Sequence, residues 1–302
     1  MKFFLLKGNE NWICDRFVEE WCEHNSEFAS DSPYTADVLW LVSSWLWNRL
    51  PFELLITKKV ITTIHHIDQN KIDNHFLHDF HLRDKITNLY HVPCEKTKEA
   101  LQKLTKKEIF VQPFWVNQNL WYQIEDKSSL KKELNFPVDK TLIGSFQRDT
   151  EGNDLKSPKL SKGPDIFCDI VEKMDNVEVV LAGWRRQYVI NRLKEAKIKY
   201  HYFEWASFEL LNKLYNCLDL YVVSSRYEGG PQAIVECALT KTPILSTNVG
   251  IADLILDKES IYDFNHIVNL KAKPNVDVAY KNVQKYKMPD GFKPFNDRFS
   301  NL

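Results

Sequence analysis

The chain has 302 residues, 44% of them hydrophobic and 13% aromatic, which suits two medium-sized domains with packed cores. Its 40 basic and 41 acidic residues leave a formal charge of −1, which excludes bulk nucleic-acid binding, where a basic excess is needed. The six cysteines (Cys14, Cys22, Cys94, Cys168, Cys217, Cys237) include no CxxC pair and are expected as reduced core residues of a cytoplasmic protein. At the N-terminus, the apolar run 3–6 ends at Lys7, too short for a signal peptide. The longest apolar stretch, 38–47, is about half a membrane span and is interrupted by Ser43 and Ser44. No transmembrane segment is expected, and peripheral contact with a membrane stays open.

Alternating and β-branched runs predict strands at 2–6, 38–42, 60–64, 88–92 and 109–111. A second series follows at 141–146, 177–182, 199–203, 220–224 and 243–246. Amphipathic periodicity places helices between them, among them 13–23, 96–104, 165–173, 208–215 and 231–239. This βαβα order implies an α/β fold with parallel sheets covered on both faces. The polar segment 123–140 divides it into two Rossmann-like domains, 1–122 and 123–302. The tail from Lys271 onward, rich in Lys, Asn and Pro, is left unassigned. Seven of the nine glycines fall between 144 and 250, where turns must let backbone approach something closely.

The stretch 220–245, LYVVSSRYEGGPQAIVECALTKTPIL, carries the most chemistry. A buried strand breaks at Glu228-Gly229-Gly230 and restarts as a helix with Pro231 at its first position. A glycine turn that leads into a helix N-terminus presents free backbone N–H groups and a positive dipole end to an anion. Glu228 and Glu236 flank that site. They would repel a bare phosphate but suit hydroxyl groups on a phosphate-bearing ligand, and a nucleotide-sugar has both parts.

Within its strand–EGGP–helix–TP–strand frame, EGGPQAIVE resembles the E-x7-E motif of retaining glycosyltransferases of the GT-B fold, most of all family 4. The resemblance implies two Rossmann-like domains whose parallel sheets face a central cleft. It places Glu228 against the donor sugar, Gly229, Gly230, Pro231 and Gln232 on sugar hydroxyls and diphosphate, and Glu236 on the ribose. Arg148, after the first strand of the second domain, and Lys162, in the helix start Ser161-Lys162-Gly163-Pro164-Asp165, would converge on the diphosphate. The element Ser207-Phe208-Glu209-Leu210 resembles the one that edges the nucleotide base, with Glu204 where the family has glycine. Lys241 also stands where the family has glycine, so it must accept a strained φ or another cap. Asn248-Val249-Gly250 is similar to the next glycine turn.

In the first, shortened domain the opening glycine pair is reduced to Lys7-Gly8-Asn9. The strand 60–64 runs into His65, which by resemblance faces the cleft and bonds the donor sugar, with His66 as the other candidate. Tails at this position in the family often cross back onto the first domain. The implied activity is transfer of a hexose-type sugar from a nucleoside diphosphate to an acceptor hydroxyl on a glycan, a lipid-linked species or a small molecule. UDP is expected first by its frequency in the family and GDP next, with no cofactor and no metal. Two other readings stand beside it. One is a sugar-nucleotide-binding GT-B protein without catalysis. The other is a metal-dependent hydrolase that uses His65, His66, His75, His78, His81 and His91, although no HExxH pattern is present.

Overall fold

The computed structural model describes residues 1–10, 13–263 and 274–302; the first residues of the unassigned tail, 271–273, lie outside the described residues. Two compact units form, one from Met1–Trp115 with Pro289–Leu302 and one from Val116–Met288. The sequence divides at 122/123 and carries the tail with the second half. The observed division falls at 115/116, and the last residues of the chain belong to the first unit.

The first unit holds a five-stranded sheet in the order β1 (Phe3–Leu5), β2 (Val38–Leu41), β3 (Lys59–Thr63), β4 (Leu89–Val92), β5 (Ile109–Val111). Every pairing in it is parallel. Both faces are buried because side chains on β2 alternate between two cores. Leu39 and Leu41 pack with Leu54 and Leu55 of the helix Phe52–Thr57. Trp40 points the other way, 6.2 Å from Trp21 of the helix Ile13–His24 and 4.8 Å from Phe299 of the helix Lys293–Phe299. The returning tail thus completes the core with Phe292, Phe295 and Phe299, none more than 2% exposed. Burying three such rings contributes on the order of 5–9 kcal/mol.

The second unit holds a six-stranded parallel sheet built from β6 (Thr141–Ser145), β7 (Val177–Ala182), β8 (Tyr200–Phe203), β9 (Leu220–Val223), β10 (Ile244–Thr247) and β11 (Ile261–Tyr262). The spatial order is β11-β10-β9-β6-β7-β8. All ten strands expected from sequence are present, and β11 is an eleventh. The helix Gln232–Thr240 begins one residue after Pro231, which takes the capping position. It ends at Lys241, whose φ of 52° is the left-handed conformation expected at that glycine-like place. Lys241 Nζ lies 4.9 Å from the ring centre of Tyr280 and 3.3 Å from Asp277.

Candidate functional site

In the second unit the strand order reverses between β6 and β9, with β7 and β8 on one side and β10 and β11 on the other. Open parallel sheets bind ligands beyond the carboxyl ends of the strands at such a switch point. The loops that leave β6 and β9 carry Gln147-Arg148 and Ser225 through Pro231, so the sheet itself brings the sequence-predicted residues together.

Glu228 is the hub. It forms an ion pair with Lys162 Nζ and accepts a hydrogen bond from Ser225 Oγ at 3.1 Å. The two paired side chains are mostly buried, 18% exposed for Lys162 and 11% for Glu228, so the pair is far less screened than a surface one. Ser225 Oγ also reaches Gln147 Oε1 at 3.3 Å, and its one proton serves one acceptor at a time. Gln147 Nε2 in turn donates to the Lys162 carbonyl at 2.9 Å. The turn that carries Lys162 is seated by Gly163, where φ is +60° and an added Cβ would lie 1.8 Å from the Ser224 carbonyl oxygen. Arg226 grips Asp165 with two hydrogen bonds, 2.8 and 2.6 Å, and fixes the same turn from the other side. Gly250 closes the arrangement: an added Cβ there would lie 2.4 Å from the Gly229 carbonyl oxygen. The glycines expected to permit close approach do so at 163 and 250.

Glu236 is buried and accepts a hydrogen bond from Tyr215 OH at 2.8 Å. Burial, and next the Glu236 charge, push the Tyr215 hydroxyl well above its ordinary pKa, so it stays a donor. Gln232 keeps its Oε1 buried and without a hydrogen-bond partner among the described residues. Arg148 donates from Nε to the Thr150 carbonyl at 2.8 Å and lies 5.3 Å from the ring centre of Trp184, on whose ring Arg185 also sits at 5.3 Å. Burial, then the Arg185 charge, pull the Arg148 guanidinium below its usual pKa. Beneath this loop Arg186 and Asp149, fully buried, form a 2.8 Å ion pair that joins the ends of β6 and β7. Sequence reasoning missed Ser225, Gln147 and Tyr215, because a serine at a strand end or a tyrosine in a helix carries no signal until its partner is known.

In the first unit His65 follows β3, half-buried, and its Nε2 donates to the Val42 carbonyl at 2.8 Å. Its ring stacks on Phe114 at 5.6 Å, and Cys14 Sγ lies 3.5 Å from the same nitrogen. Burial pushes the Cys14 thiol up to about 11, so the pair does not supply a thiolate near neutrality. His66 is exposed. The histidine cluster of the hydrolase reading is not gathered: His91 is fully buried between Thr63 and the Gln112 carbonyl, and burial lowers its pKa to about 3. Among the described residues no group of three or more His, Cys, Asp or Glu is placed to hold a metal ion. No helix among them is long and apolar enough to cross a membrane.

Residues 157–270 match the family model Glycosyl transferases group 1, a span that begins just before Lys162 and takes in Glu228 and Glu236. No curated protein matches the chain by sequence. Among solved structures, HepE of Anabaena in complex with UDP and glucose is 12% identical, with 99% of each chain covered and a TM-score of 0.79. Sucrose-phosphate synthase of Thermosynechococcus elongatus is 15% identical over 95% of this chain and 78% of its own, with a TM-score of 0.70. A glycosyltransferase of Rickettsia africae is 16% identical over 98% and 83%, with a TM-score of 0.64. The fold is therefore GT-B, two α/β units each with a parallel sheet, and the match to the glycosyl transferases group 1 model falls within the second.

Proposed function

We propose that the protein is a retaining glycosyltransferase of family 4 type that moves a hexose-type sugar from a nucleoside diphosphate, UDP before GDP, to an acceptor hydroxyl. The observation that carries this reading is the constellation at the β6–β9 switch point: Glu228 held by Lys162 and Ser225, beside a helix start and a buried Glu236. The likeness in fold to HepE, solved with UDP and glucose and with UDP-glucose, supports the same donor chemistry.

In this reading Glu236 accepts from the ribose hydroxyls and Glu228 from the sugar. Lys162, Arg148 and the amides of Gly229 and Gly230 hold the diphosphate as it gathers charge, an interaction that strengthens in the transition state. The C1–oxygen bond to the phosphate breaks while the acceptor oxygen bonds C1 on the same face. The leaving phosphate takes the acceptor proton, so no protein base is required. His65 bonds the sugar, the reaction runs in the cytoplasm, and the acceptor is a glycan, a lipid-linked species or a small molecule. A thermal-shift screen of nucleoside diphosphates, followed by hydrolysis or transfer assays with the matching UDP- or GDP-hexoses, tests it. Stabilisation by one nucleoside diphosphate together with release of that nucleotide from its sugar supports the reading. Binding without any turnover favours the non-catalytic alternative, and no binding at all refutes both.

A further inference from the structure

Lys159 was not among the residues that the motif points to, and its surroundings are unusual for a lysine. Its backbone N–H donates to the Asp149 carbonyl at 2.8 Å, next to Arg148, and its own carbonyl accepts from Lys162 N at 2.8 Å. It is thus pinned between the β6 loop and the turn of Lys162. The turn Leu160–Lys162 is a 3-10 helix that Lys159 caps. The backbone bond across this turn holds Lys159 next to Lys162, which is itself paired with Glu228. The segment 150–158 before it folds back through an antiparallel bridge between Thr150 and Pro158, which closes the loop base beneath Lys159.

The charges that face Lys159 are Lys162 and Arg148, both repulsive, and Glu228 and Glu151, both attractive. Glu228 is already engaged by Lys162. Among the described residues no hydrogen bond or ion pair of Lys159 Nζ is found, although the residue is half-buried. Three cations converge here, and one carboxylate among them is spent.

We propose that Lys159 is a third cation of the diphosphate site, beside Arg148 and Lys162. The inference rests on the donor reading given above and adds a residue and a pH dependence to it. A nucleoside diphosphate then binds with uptake of a proton by this lysine. Burial first, then Lys162 and Arg148, lower the Lys159 pKa to about 8 in the free protein. Two ligand phosphates replace like-charge repulsion with attraction, so the pKa rises again in the complex. A group whose pKa is raised by binding favours binding at low pH, and that contribution is lost as pH rises through the free-state value. With a free-state value of about 8, apparent affinity should fall roughly fourfold between pH 7 and pH 8.5. A terminal phosphate, with a second pKa of about 6, is already ionised throughout this range.

The experiment is calorimetric titration of the full chain with UDP at pH 7 and pH 8.5, each in two buffers of different ionisation enthalpy. The wild type should weaken about fourfold and take up a proton at pH 8.5. Lys159→Met should bind at least tenfold more weakly at pH 7 with that pH dependence gone. Lys159→Arg, charged at both values, should bind tightly with little slope. If the wild type binds UDP and Lys159→Met matches it in affinity and slope, the inference is overturned while the donor reading stands. If Lys159→Arg keeps the wild-type slope, another group titrates and the inference is likewise overturned. If neither UDP nor GDP binds the wild type, both fall.

Discussion

Replacing Gly163 with alanine separates backbone conformation from close approach, because the chain contains its own control. Gly152 and Gly163 both have positive φ, +74° and +60°. An added Cβ at 152 meets nothing nearer than Asp154 Oδ1 at 3.5 Å, an ordinary contact. At 163 it would lie 1.8 Å from the Ser224 carbonyl oxygen and 2.7 Å from its carbon, both backbone atoms at the end of β9. Gly152→Ala should therefore cost only the left-handed strain, about 1–2 kcal/mol. Gly163→Ala pays the same strain, and it must also push the Lys162 turn away from β9, an overpacking cost of roughly 1–3 kcal/mol more. Urea unfolding at equilibrium, followed by tryptophan fluorescence, measures both, and the second unit's size converts each kcal/mol to about 2–4 °C of melting temperature. The shift also separates Lys162 from Glu228 and misplaces the turn, so affinity for UDP should drop in Gly163→Ala and hold in Gly152→Ala. Equal losses of stability at the two positions, with UDP binding intact in both, would refute the close-approach argument and the seating of Lys162 built on it.

Glu236→Ala should weaken UDP binding about 10- to 100-fold, since hydrogen bonds to a charged acceptor are worth about 1.5–3 kcal/mol each; an unchanged Kd by calorimetry would remove Glu236 from the ribose. His65→Ala should lower turnover strongly and leave UDP affinity within about twofold, and an equal loss of both would make His65 structural. Transfer should persist in excess EDTA, because cations and a helix start already face the diphosphate, whereas complete loss that added metal restores would bring a metal into the reaction. A fragment 116–288, which keeps the second unit's boundaries and omits the returning aromatic tail, should bind UDP within about tenfold of the full chain, a loss of at most ~1.4 kcal/mol, and transfer nothing; no binding by the folded fragment beside clear binding by the whole chain would place the donor site elsewhere.

The alternation of β-rich runs and amphipathic helices made ten strands readable, since a parallel strand buried on both faces is a compact apolar run that only short-range pattern is needed to see. The two-residue strand Ile261–Tyr262 is too short to have a period, and only its pairing with β10 makes it one. The last segment was unreadable for a different reason. Phe292, Phe295 and Phe299 sit three and four apart, a helical stripe, but Pro294 falls inside it, and the partner Trp40 lies some 250 residues away in sequence. A stripe shows that something covers it and not what. The candidate site divides along the same line. Glu228, Gly229, Gly230 and Glu236 could be singled out because one short motif holds them, and Gly163 and Gly250 because glycine is scarce. Ser225, Gln147, Tyr215 and Lys159 acquire meaning only when β6 lies beside β9, because that adjacency lets a loop near residue 147 and a turn near 162 meet one near 228. Sheet order is a property of long-range pairing, which local periodicity does not encode. The electrostatic demand for an anion arises there too: Arg148 and Lys162 could be singled out by resemblance, but Lys159 is an ordinary cation in sequence and joins them only through the switch point.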